Sequence, residues 1–127
     1  MKKASIWKDQ PDEHDYPAAA DFLGLLFPEK AAKDLAARLR RAPAQTKKVK
    51  DLLRASGLPL LPIDNPHVAS DLKKIRKGKA LSPVLLVRGV GSKGFPLIIA
   101  DGYHRVCASW YKGEDIPIVC RIVDRPG

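Results

Sequence analysis

The chain has 127 residues, 45% of them hydrophobic and 29% charged, with a formal net charge of +9. That length supports one domain with a real core, and the composition is that of a folded chain rather than a disordered one. No apolar run approaches the ~20 residues that span a bilayer, so no transmembrane helix and no membrane partner are expected.

Met1-Lys2-Lys3 looks like the start of a signal peptide, but polar and acidic residues follow it. No secretion signal is read, and a cytoplasmic location is expected. Residues 1–16 form a polar lead-in that Trp7 and Tyr16 anchor onto the body. Its cluster Asp12, Glu13, His14, Asp15 reads as a solvated acidic turn, and no metal-ligand set is assigned there.

Residues 17–27 are expected as a short helix, with Pro17 in its first turn and Phe22, Leu23, Leu25, Leu26 and Phe27 supplying apolar surface. Residues 29–41 form a second helix, because Ala32, Leu35, Ala36 and Leu39 recur at spacings of three and four. A third helix is expected from about Gln45 to Ala55, with Gly57 as its left-handed stop. Residues 17–56 thus read as a helical layer with a basic exterior. The two prolines of Leu58–Ile63 allow at most an edge strand.

Residues 67–77 form a helix with Val68, Leu72 and Ile75 inward, and Gly78 ends it. Pro83–Arg88 and Phe95–Ala100 are strands of an antiparallel hairpin, joined by the Gly-rich loop 89–94. That loop lacks Walker spacing, and no helix follows it. A helix from about Gly102 to Tyr111 turns Val106, Cys107 and Trp110 inward and closes at Lys112-Gly113. A last strand runs over Ile116–Val123, and Asp124–Gly127 is a tail. Cys107 and Cys120 have neither metal nor redox spacing and read as small core residues.

The chemistry concentrates in the strand–turn–helix stretch 97–111. A helix N-terminus presents unpaired N–H groups and a positive dipole end, which suit an anion. His104 and Arg105 add an imidazole and a guanidinium there, and a guanidinium suits bidentate oxyanion binding. Gly102 lets the backbone turn tightly and an anion approach. Asp101 could orient a substrate hydroxyl or hold Mg²⁺, or simply cap the helix. Asp64 and Asp71 are equally open as a general base. Tyr103 reads as a packing or stacking residue.

From about Leu60 to Val123 the chain resembles the ParB/sulfiredoxin superfamily. The residues that carry this are Ile75-Arg76-Lys77-Gly78-Lys79-Ala80-Leu81-Ser82-Pro83 running into Val84–Val87, the Asp101-Gly102-Tyr103-His104-Arg105 turn with its helix, and Glu114-Asp115-Ile116-Pro117 before the closing strand. The resemblance implies a compact α/β (α+β) mixed sheet with helices over 57–127, preceded by an N-terminal helical extension over 1–56 packed on the core.

It further implies that Gly102, Tyr103, His104 and Arg105, with Ser70 and Lys74 of the preceding helix and His67 near that helix's start, hold nucleotide phosphates. ATP or CTP with Mg²⁺ would be the ligand. The turn is similar to those of sulfiredoxins and of free-serine kinases. Tyr103 stands where sulfiredoxins carry their catalytic Cys, which argues against sulfinic acid reduction.

Three functions are carried forward. One is nucleotide binding with hydrolysis or phosphoryl transfer, Asp101 being the catalytic candidate. The second is a DNA- or RNA-binding or nuclease-like module using the basic helices at 29–56 and 73–79, with Lys47, Lys48, Lys50 and Arg54 as its contacts. The third is a non-catalytic regulatory interaction domain.

Overall fold

The computed structural model describes residues 6–126, so Met1-Lys2-Lys3 and Gly127 lie outside the described residues. In chain order the elements are α1 (Asp15–Leu23), α2 (Glu29–Arg41), β1 (Gln45–Lys48), α3 (Val49–Ser56), α4 (Pro66–Arg76), β2 (Val84–Val87), β3 (Ile98–Asp101), α5 (Tyr103–Trp110) and β4 (Pro117–Val123). The strands form one mixed sheet in the order β1-β4-β2-β3. Only the β2/β4 pair is parallel. The expected α/β class and the β2–β3 hairpin are both present.

Side chains of a strand alternate between faces, and β2 shows why its run of four apolar residues is needed. Leu85 and Val87 pack against α1 and α2 through Tyr16, Leu23, Leu35 and Leu39. Val84 and Leu86 face the other way, onto Trp7, Val49, Leu52 and Val106. With helices on both faces, all four β2 residues are buried. A third apolar cluster, Val68, Leu72, Cys107 and Ala108, binds α4 to α5. Cys107 and Cys120 are free and buried, as expected.

The expected helix over 45–55 is corrected. Gln45–Lys48 is an edge strand pairing antiparallel with β4, and only Val49–Ser56 is helical. Helix propensity of Gln and Lys is a weak preference that a ladder overrides, and lysines suit an exposed edge. The first α3 amides then bond outward, Val49 N to Ile116 O at 3.0 Å and Lys50 N to Glu114 O at 3.1 Å. The helical layer therefore does not extend through residue 56. α1 and α2 cover one sheet face, while α3 lies on the opposite face beside α5.

Helix α1 stops at Leu23, earlier than expected, leaving Phe22, Leu25 and Leu26 exposed. Leu58–Ile63 forms no ladder. Tyrosines at the two ends of α5 hold that segment instead, Tyr103 Oη donating to Pro59 O and the C-cap Tyr111 Oη to Leu61 O.

The lead-in is bound to the body as expected. Trp7 bridges Leu81, its Nε1 donates to Pro117 O at 2.9 Å, and Trp7 and Tyr16 are both buried.

Candidate functional site

The chain turns from β3 into α5 at Gly102, whose φ of 110° lies in the left-handed region. The expectation that Asp101 caps the helix is corrected. Gly102 occupies the cap position with no side-chain capping bond, and Asp101 stays in β3 opposite Leu85. The first helical bond runs from Val106 N to Gly102 O at 3.0 Å. The amides of Tyr103, His104 and Arg105 therefore have no helical carbonyl ahead of them.

Helix α4 faces this turn. It is capped by Asn65, whose Oδ1 accepts from His67 N and Val68 N, with Pro66 at its first position. A cleft of about 220 Å³ between the two elements is lined by His67, Ser70, Asp71 and Lys74 on one side and Asp101, Gly102, His104 and Arg105 on the other. The sequence-predicted set Gly102, His104, Arg105, Ser70 and Lys74 is thus brought together. Tyr103 is not part of this lining. Its hydroxyl bonds Pro59, and burial pushes its pKa up.

A larger cleft of about 490 Å³ adjoins it, sharing Asp71, Lys74 and Arg105. Lys8, Asp12 and His14 of the lead-in and Lys79, Ala80, Leu81 and Ser82 complete its wall.

Arg105 sits between the compartments, and its guanidinium is already engaged. Nη2 lies 2.8 Å from Asp101 Oδ2 and 3.6 Å from Asp15 Oδ2, while Nε is buried without a hydrogen-bond partner. It is not splayed outward as a free bidentate fork.

Asp15 is 2% exposed, accepts a hydrogen bond from Ser82 Oγ and lies 3.3 Å from His14 Nε2. Ser82 Oγ in turn accepts from Asp12 N at 2.9 Å. The solvated acidic turn expected over 12–15 is therefore corrected at Asp15. Asp12, His14 and Asp15 each place a ligand-capable atom within 4.8 Å of the others.

Burial raises the pKa of Asp101, opposed by the charge of Arg105 and reinforced by Asp15 nearby. Burial also raises that of Asp71. The bond from Lys8 lowers that of Asp12. Burial, then the neighbouring His67, lowers the pKa of His104, whose ring centroid is 4.7 Å from that of His67. His104 is therefore neutral at pH 7, able to donate one proton and accept another.

Asp15, Ser82, Lys8, His14 and Lys79 were not among the predicted site residues. The one signal pointing to Asp15 was its place between two aromatic anchors, Trp7 and Tyr16.

The second set spans the junction of β1 and α3. Lys47 and Lys48 lie on β1, and Lys50 and Arg54 on α3. Lys50 and Lys48 share Asp115 at 2.8 and 3.8 Å, and Arg54 pairs with Asp51 at 3.3 Å. Among the described residues no helix is long and apolar enough to cross a membrane. Compared with protein-family models, curated proteins and solved structures, the chain matches none of them.

Proposed function

We propose that this chain is a ParB/sulfiredoxin-like domain that binds the phosphate groups of a nucleotide between α4 and the N-terminus of α5. The observation that carries this reading is the convergence of the N-terminal turn of α5, at Gly102, His104 and Arg105, with His67, Ser70 and Lys74 around one polar cleft. The resemblance carried by the Asp101–Arg105 turn points the same way. A phosphate entering the cleft meets neutral hydrogen-bond donors, the Lys74 ammonium group and the carboxyl groups of Asp71 and Asp101. It also competes with Asp101 and Asp15 for Arg105.

The carboxylates flanking Arg105 give the site cation-binding capacity. Asp12, His14 and Asp15, whose ligand-capable atoms lie within 4.8 Å of one another, would be the residues to hold a divalent ion such as Mg²⁺, which would neutralise the phosphates of ATP or CTP. For hydrolysis or phosphoryl transfer, Asp71 is the better-placed proton acceptor. It lines both compartments, and burial raises its basicity, whereas Asp101 is held by Arg105 and Asp64 lines neither.

The test is calorimetric titration of ATP, ADP, CTP and GTP with Mg²⁺ into the wild-type chain and a folded His104→Ala/Lys74→Ala variant. The expected result is binding by the wild type and at least about tenfold loss in the variant, corresponding to ~1.4 kcal/mol. Absence of binding by the wild type to any of the four would overturn the reading.

A further inference from the structure

We propose that the phosphate held in the smaller compartment is the terminal phosphate of a polynucleotide strand, with the strand running on along the C-terminal half of α4. This rests on the phosphate reading above and names its ligand class.

The lining supplies the first argument. Ala80 and Leu81 are the apolar side chains of the two joined compartments, and the rest of the lining is charged, polar or glycine. A pocket that selects a free nucleotide by its base surrounds that base with apolar and aromatic side chains. Here the aromatic element is the His67–His104 ring pair at the compartment wall. The smaller compartment therefore offers a ligand polar contacts suited to phosphates rather than to a base.

The second argument is the direction in which cations continue. On a helix, positions three and four apart share a face. Ser70, Lys74 and Lys77 follow that spacing, and Lys73 is three residues from Ser70 and four from Lys77. The row extends about 10 Å beyond Ser70 at helical rise. Lys73, Lys77 and Lys79 are exposed and make no ion pair with a described residue, whereas Lys74 is 3.9 Å from Asp71. A mononucleotide in the cleft would leave that row without counter-charge, while a strand would supply it.

The third argument concerns which phosphate occupies the cleft. A terminal monoester carries close to two charges and three free oxygens near neutral pH, whereas an internal diester carries one charge and two free oxygens. Ser70 Oγ, His104 and Lys74 beside the N-terminus of α5 meet three free oxygens and a second charge on a terminal monoester, against two oxygens and one charge on a diester.

The test is fluorescence anisotropy with a labelled single-stranded 12-mer carrying a 5′-phosphate, a 3′-phosphate or hydroxyl ends, with ATP as competitor, across a salt series. One of the phosphorylated strands should bind at least about tenfold tighter than the hydroxyl-ended strand and than ATP. Lys73→Gln/Lys77→Gln should weaken strand binding and reduce the logarithmic salt slope by about 1.4, the single-strand value for two contacts, while ATP affinity stays within twofold. Equal binding of hydroxyl-ended and phosphorylated strands would overturn the proposal, as would ATP binding as tightly as any strand; ATP binding in these experiments leaves the phosphate reading standing. Failure of ATP and every strand to bind would remove both.

Discussion

Asp15 Oδ2 lies 3.6 Å from Nη2 of Arg105, joining the first residue of α1 to the helix that carries the candidate site. The contact is nearly dry, with the Asp15 side chain 3% and the Arg105 side chain 17% exposed. Ser82 Oγ donates to the same carboxylate and accepts from Asp12 N. Arg105 therefore organises the cleft from both sides, through Asp101 at one edge and Asp15 at the other.

Removing one partner of such a pair leaves an uncompensated buried charge, which costs more than the pair itself contributes. Asp15→Ala should therefore lower the unfolding free energy by about 3 kcal/mol, measured by urea denaturation. Asp15→Asn keeps an acceptor for Ser82 and should lose roughly half as much. A loss below about 0.5 kcal/mol for the alanine variant would mean that Arg105 is fully served by Asp101.

Gly102 is the second sensitive point. A Cβ there would sit 2.8 Å from Arg105 Nη2 and 2.9 Å from Val84 Cγ2, at a φ of 110° that side chains rarely adopt. The guanidinium can swing away, but the buried valine cannot. Gly102→Ala should cost about 2 kcal/mol and release Arg105 from Asp101. The readouts are the thermal midpoint and the Arg105 side-chain N–H signals in NMR. Unchanged values for both would show that the turn relaxes without disturbing the cleft.

Local signals made much of this architecture legible. Periodic apolar positions located α2, α4 and α5, and Gly57, Gly78 and Gly102 marked breaks that the structure realises with positive φ. What escaped depends on partners distant in the chain. Gln45-Thr46-Lys47-Lys48 has no apolar alternation, and it is a strand because β4 offers it a ladder. Asp15 looked like one acid among several, since nothing near it in the sequence reveals Arg105 or Ser82. The turn itself was readable, but Asp101 misled. An aspartate before a helix usually caps it, whereas here Gly102 takes that position and leaves the carboxylate free for Arg105.

The depressed pKa of His104 has a consequence for anion binding. Burial and His67 hold the ring neutral at pH 7, and Asp71 and Arg105 also face it. An anion stabilises the protonated ring, so binding takes up a proton and affinity should rise as pH falls from 7 through the lowered folded value. Protonation of Asp71, itself raised by burial, would act in the same direction. Sulfate is the proper probe, because phosphate titrates near pH 6. His104→Gln should flatten the profile, while Asp71→Asn should leave a rise on acidification in place. For stability the sign is the opposite. A histidine depressed in the folded state binds fewer protons than in the unfolded chain, so stability falls as pH drops below about 6.5. His104→Gln should lessen that acid-side fall. Identical sulfate profiles for wild type and His104→Gln would assign the titration elsewhere.

Arg121 tests the opposite face of the sheet. It is 9% exposed, and its side chain makes no ion pair with a described acid. Nη1 reaches Arg40 O at 2.6 Å, Leu39 O at 3.4 Å and Tyr16 Oη at 3.2 Å. Its counter-charge is the carbonyl end of α2, whose last residues have no helical donors beyond them. The same helix end places Arg40 over the Tyr16 ring at 4.2 Å, so α1, α2 and β4 meet at this one guanidinium. Arg121→Met keeps much of the apolar stem but strands the Arg40 carbonyl, while Leu39 O keeps its bond from Ala42 N at 3.3 Å. It should cost about 2–3 kcal/mol in urea unfolding and increase amide exchange at the α2 C-terminus before that at α4 and α5. Arg121→Lys retains the charge but not the planar fork and should recover only part of the loss. Because Arg121 lines neither compartment of the cleft, phosphate affinity should hold in both variants at temperatures where they are folded. A drop in affinity parallel to the drop in stability would instead show that the α1–α2 layer sets the position of Asp15, and through it Arg105.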